Sequence, residues 1–169
     1  EPVRMWCYVA LNDRPFQEIL TADYTVDTAM SKQTRPAEHG RSGILTTNGF
    51  IEGKPGLPPF NYAALVAEKF LGYVFEVPPE IEQQRETMTA LSTTSPTTTC
   101  YRCHKLLTPL AHQRLAWTDA GMFRTEDKTG NPIDDSDRGL VASYPFAGKG
   151  MQAFATKAVN TEPFLRTMI

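Results

Sequence analysis

The chain has 169 residues, 41% hydrophobic and 21% charged, enough to bury a core in one domain or two small ones and too apolar for wholesale disorder. Its 17 basic and 19 acidic residues are interspersed and leave a net charge of −2, which excludes the basic footprint of a nucleic-acid binder. No apolar run approaches the ~20 residues that a bilayer-crossing helix needs, since Glu68, Lys69 and Glu76 interrupt the longest candidates.

From Pro2 to Met30 apolar residues recur at helical spacing: Met5, Trp6 and Val9, then Phe16, Ile19 and Leu20 after an Asn12-Asp13-Arg14-Pro15 break. This predicts two short helices. Cys7, between Trp6 and Tyr8, has no partner at motif spacing and reads as a buried free thiol. Ser31 to Pro59 is rich in Gly, Pro and Thr and reads mostly as loop, with Gly43-Ile44-Leu45-Thr46 and Gly49-Phe50-Ile51 as apolar islands. Asn61, a good N-cap, opens the clearest helix, which carries Tyr62, Leu65, Val66, Phe70 and Tyr73 and ends near Glu76, before Pro78-Pro79. Glu80 to Leu91 reads as helical, and the Ser/Thr run from Ser92 to Thr99 as an extended connector.

Further on, Pro109 to Trp117 reads as a helix, Thr125 to Ser136 as polar with a turn at Lys128-Thr129-Gly130-Asn131-Pro132, and 149–159 and 161–169 as two closing helices. Glu1-Pro2-Val3-Arg4 has no signal-peptide character, and the chain opens and stops in helical pattern, as expected of a piece of a longer protein. The expected organisation is an amino-terminal segment over 1–60, the end of a preceding domain, and a helical domain over 61–169.

The residues that carry chemistry are Cys100-Tyr101-Arg102-Cys103-His104, a C-x-x-C-H motif. Two thiols three positions apart reach two vinyl groups of one porphyrin, and the adjacent histidine supplies an axial ligand to the iron. With three Cys and three His in 169 residues, the expected number of chance matches is on the order of one in a thousand. A thioredoxin-like pair requires a strand-to-helix turn in a βαβ unit, and a Ser/Thr run precedes this one. A zinc site requires four ligands, and only Cys7, His39 and His112 remain to complete it.

The sixth iron position has several candidates. Met151, on the glycine-rich approach Gly148-Lys149-Gly150, and His39, in an upstream loop, lead. Met122 or an open iron are the others, and His112, two turns after His104 on the same face, ranks lower. Asp134-Asp135-x-Asp137 lacks the Gly and Glu positions of an EF-hand and reads as a solvated turn. Gly148-Lys149-Gly150 is too short for a phosphate loop.

Three segments in order resemble the planctomycete-type cytochrome c proteins. C-x-x-C-H followed by Thr108-Pro109-Leu110 and Trp117-Thr118-Asp119-Ala120-Gly121-Met122-Phe123-Arg124 is similar to their haem-binding region. Arg14-Pro15-Phe16-Gln17-Glu18-Ile19-Leu20-Thr21-Ala22-Asp23-Tyr24 resembles their R-P-F-x-E-L-L-T-A-D-Y element, and Gly43-Ile44-Leu45-Thr46 their G-x-L-T. Thr108 and Ala111 stand where that family has Asp and Gly.

The resemblance implies a large exported bacterial protein of unassigned activity, with Pro109, Leu110 and Trp117 joining Cys100, Cys103 and His104 around the cofactor. The expectation is a mainly α, cytochrome c-like helical haem domain with long irregular loops. It would hold one covalent haem c and transfer electrons to a redox partner protein, in the periplasm or outside the cell, within a larger assembly or polypeptide. The alternatives are a haem-dependent oxidoreductase with an open iron and a structural subunit of a redox complex.

Overall fold

The computed structural model describes residues 1–35, 41–51, 58–83, 95–118 and 121–168. The order is α1 (Pro2–Leu11), α2 (Glu18–Thr21), β1 (Tyr24–Val26), β2 (Lys32–Thr34), a 3-10 turn (Gly43–Thr46), α3 (Asn48–Ile51), α4 (Pro58–Leu71) and α5 (Pro79–Glu82). It continues with α6 (Tyr101–Arg114), β3 (Ser136–Val141), β4 (Tyr144–Lys149), α7 (Gly150–Ala158) and α8 (Glu162–Thr167). The expectation of a mainly α chain is therefore corrected to a mixed α/β fold: two antiparallel hairpins accompany the helices. One runs from Tyr24↔Thr34 to Val26↔Lys32, the other from Ser136↔Lys149 to Val141↔Tyr144. Among the described residues no helix is long and apolar enough to cross a membrane.

Three of the element boundaries differ from the sequence reading. α4 starts at Pro58 rather than Asn61, because proline is tolerated where helical N–H groups have no partner. It stops at Leu71 rather than Glu76, because Gly72 turns left-handed (φ +67°) and the Tyr73 amide closes back on the Ala67 carbonyl. α6 starts eight residues before the expected Pro109 and accommodates that proline inside it, so the C-x-x-C-H motif begins at its N-cap. Within 80–91 the structure describes a short helix to Glu82, and residues 84–94 lie outside the described set. The two closing helices fall where the periodicity puts them, the second capped by the Thr161 hydroxyl.

The first third is held by a polar knot. Arg14 donates two hydrogen bonds to the Glu18 carboxylate, at 2.6 and 2.7 Å, and the Tyr24 hydroxyl donates a third at 2.5 Å. The Arg-x-x-x-Glu…Tyr spacing thus ties the end of α1 and the start of α2 to the first hairpin. Gly43 then sits on the backbone of α2: its amide donates to the Ala22 carbonyl at 2.7 Å, and a Cβ there would lie 2.2 Å from the Ile19 carbonyl oxygen. With φ at +46°, the position accepts glycine for both conformation and space.

The boundary expected at residue 60 does not separate two cores. Met5, Ile19, Leu20, Leu45, Ile51, Tyr62, Phe70, Leu110, Met151, Phe154 and Phe164 belong to one buried cluster. Ser42 Oγ donates to the Leu20 carbonyl and lies 3.3 Å from that of Met151, and Tyr62 Oη donates to the Leu45 carbonyl. Cys7 is exposed, not buried, because Met5 and Val9 take the inward face of α1.

At the centre is Arg114, 1% exposed at the end of α6. Its guanidinium donates to the carbonyls of Ile51 (3.0 and 3.2 Å), Trp117 (2.7 Å) and Thr118 (3.1 Å), and lies 5.8 Å from the Tyr62 ring centroid. A buried charge persists only when its donors are met in this way. Arg114→Ala leaves buried carbonyls without donors and is expected to cost on the order of 4 kcal/mol in urea unfolding, with Arg114→Lys losing less.

Glu18 is held below its ordinary pKa of 4.5, chiefly by the Arg14 hydrogen bonds. The carboxylate therefore contributes stability that is complete above about pH 4.5 and is lost as pH falls through the lowered folded value. Glu18→Gln should remove this acid-side component, read as a flatter dependence of unfolding midpoint on pH.

Candidate functional site

The Ser/Thr run before α6 becomes turn rather than extended connector where it is described, because its hydroxyls bond locally. Thr98 donates its hydroxyl to the Ser95 carbonyl, and the Ser95 and Thr97 hydroxyls lie 2.9 Å apart. These turns feed Cys100 into the N-cap of α6, where its carbonyl accepts the His104 amide at 3.1 Å. At 3.6 residues per turn, Cys103, Cys100 and His104 span an arc of about 100° on the opening turn of this helix. Both thiols are free and half-buried.

The His104 imidazole stacks edge-on against Phe60 of α4, with ring centroids 4.5 Å apart and planes at 62°. Its buried Nδ1 has no hydrogen-bond partner among the described residues. Burial lowers its pKa below the usual 6.5, favouring the neutral ring that binds metals. Phe60 escaped the sequence reading because that reading began the helix at Asn61; a start at Pro58 puts Phe60 on the first turn of α4.

The other expected cofactor contacts have different neighbours. Pro109 packs against β3, where a Cβ on Gly139 would meet its ring at 3.0 Å, and Leu110 is buried in the core. These two positions lie about 140° and 240° round α6 from His104. Trp117 lies across a β-bridge from Phe123, their rings 5.4 Å apart and edge-on. All three serve the packing of α6 and its following loop.

Met151 is likewise a core residue, 1% exposed, whose sulfur accepts the Tyr62 hydroxyl at 3.7 Å. Tyr62 lies about 200° round α4 from Phe60, so Met151 and His104 sit on opposite sides of that helix. In this structure the Met151 sulfur lies by Tyr62, on the side of α4 opposite Phe60. His39 lies outside the described residues, and Met122 is 61% exposed. His112 is half-buried on α6. Of the acidic cluster, Asp134 accepts the Ser136 amide and Asp135 lies 3.8 Å from Lys149 Nζ, both contacts at the open end of the second hairpin.

What this arrangement can do is set by how its donors are spread. A tetrahedral ion site needs its donors to converge on one point, and among the described residues no three His, Cys, Asp or Glu side chains do. A thioredoxin-like site needs a parallel βαβ unit, and the described strands pair only as antiparallel hairpins. A porphyrin makes a different demand: two thiols for its rim and one imidazole for its centre, offered side by side. Cys100, Cys103 and His104 fit that demand, and the unpartnered buried Nδ1 marks His104 as a residue whose polar contacts the polypeptide alone leaves incomplete. No protein-family model, curated protein or solved structure matches the chain, so the functional reading stands on its own residues.

Proposed function

We propose that the chain holds one c-type haem, attached through thioethers at Cys100 and Cys103 with His104 as an axial ligand, and serves electron transfer. The observation that carries the reading is the C-x-x-C-H motif on the first turn of α6, with its imidazole braced by Phe60. The haem supplies a one-electron couple when bound. The chain's own residues fix the thiols on one helical arc, and Phe60 and α4 restrain the imidazole and cover part of it from water. The resemblance to the planctomycete-type cytochrome c proteins supports the same reading and suggests an exported bacterial protein acting within a larger polypeptide or assembly, with a redox protein as partner. Haem attachment outside the cytoplasm makes the periplasm or the exterior its place.

The position of Met151 favours one change of emphasis. With its sulfur engaged by Tyr62, the sixth iron position falls to His39 or stays open, and an open position is the basis of the second reading, a haem-dependent oxidoreductase. The test is expression with a haem-attachment system, followed by a pyridine haemochrome and optical spectra of both redox states. Covalent haem in the parent, lost when Cys100 and Cys103 are both changed to Ala, is the expected result. A low-spin ferric spectrum without the weak red band of methionine ligation assigns His39. A high-spin spectrum moves the oxidoreductase reading ahead. A parent protein that matures without haem would overturn the proposal.

A further inference from the structure

The side chain of His104 leaves one of its own torsions undecided. In a helix χ1 of a histidine is confined to two rotamers, whereas χ2, which turns the plane of the ring, has broad wells. A metal-bound histidine ordinarily settles that plane by donating its second ring N–H to a carbonyl, a carboxylate or a water, which fixes the ring and strengthens it as a donor. Here Nδ1 is shut away from solvent with no hydrogen-bond partner among the described residues. The carbonyl one turn back, that of Cys100, accepts the His104 amide at 3.1 Å. With Nδ1 buried, Nε2 is the nitrogen left for an iron, and the ring's plane must be held by something other than an acceptor.

What meets the imidazole is Phe60, with ring centroids 4.5 Å apart and planes inclined at 62°. Edge-on rings attract because the positive rim of one faces the negative face of the other, and that attraction depends on the angle between them. Phe60 is well supported for holding an angle. It packs against the core from the first turn of α4, where the neighbouring Tyr62 and Ala63 are fully buried, and Cys103, the residue before the imidazole, packs against the same core. We infer that Phe60 is a positioning residue for the axial ligand: its ring, in place of a hydrogen-bond acceptor at Nδ1, sets the plane in which His104 meets the iron. The inference rests on the haem reading above. The plane of an axial imidazole governs how the d orbitals of the iron split, so Phe60 acts on the electronic state of the site through His104.

The ferric EPR spectrum of the holoprotein reads that plane, as g-anisotropy in a low-spin site or as rhombicity in a high-spin one. Phe60→Leu, which keeps apolar bulk but has no ring, is compared with Phe60→Tyr, which keeps the ring. Tyr62→Phe is the structural control: it loosens α4 on its other side by removing the hydroxyl that donates to the Leu45 carbonyl. The expected result is a broadened and displaced signal for Phe60→Leu, with parent-like signals for Phe60→Tyr and Tyr62→Phe. A parent-like signal for Phe60→Leu, or an equal displacement in Phe60→Tyr or Tyr62→Phe, would overturn the assignment. If Phe60→Leu does not mature, Phe60→Met, a flexible ringless side chain, takes its place in the same comparison. A parent protein without covalent haem overturns the underlying reading instead, and the pyridine haemochrome of the parent tells the two failures apart.

Discussion

A guanidinium buried in a protein interior must find an acceptor for each donor it brings, and Arg114 makes that requirement the organising contact of this fold. It binds the end of α3 through Ile51, the loop after α6 through Trp117 and Thr118, and α4 through the face of Tyr62. Ten residues earlier on the same helix, roughly 15 Å away along its axis, His104 meets Phe60. Phe60 and Tyr62 are neighbours on the first turn of α4 pointing to opposite sides, so they reach toward opposite ends of α6. The orientation of the motif-bearing helix is therefore fixed at both of its ends by two aromatic residues of one partner helix.

The same geometry divides α4 into sides with different tasks. The Tyr62 side joins Met151, Leu45 and Arg114 in the core, where the tyrosine hydroxyl donates to the Leu45 carbonyl and lies 3.7 Å from the methionine sulfur. The Phe60 side holds the imidazole, and the adjoining face of Asn61, Ala64, Leu65 and Glu68 lines a small recess with Val74 and Phe75. The two thiols and the imidazole of the motif stand on α6, and a left-handed glycine turns the short segment after α4 back alongside it.

The sequence disclosed the candidate motif more fully than the fold. The C-x-x-C-H motif is local, so five adjacent residues announce it without any knowledge of packing. The stripe of α4 and the closing helices were legible because their apolar residues recur at helical period. The hairpins were not. β3 and β4 turn through Ala142 and Ser143, both at positive φ, where the usual Asn-Gly or Asp-Gly signal is missing. Tyr24-Thr25-Val26 alternates buried and half-buried residues, but it is three residues long and follows a helical pattern that overran it. The roles of Arg14, Glu18 and Tyr24, and of Gly43 against the Ile19 carbonyl, emerged only with the structure, since each depends on chain segments meeting in space. Nor did the glycine-rich approach to Met151 show in the sequence that its side chain packs in the core beside Tyr62.

The account depends most on whether Cys100 and Cys103 both carry one haem. Mass analysis of the proteolytic peptide spanning these residues, from protein matured in a haem-attaching host, decides it directly. The account predicts a single peptide bearing the mass of one haem, with neither thiol open to alkylation while Cys7 is alkylated. A peptide of unmodified mass with both Cys100 and Cys103 alkylated would contradict it.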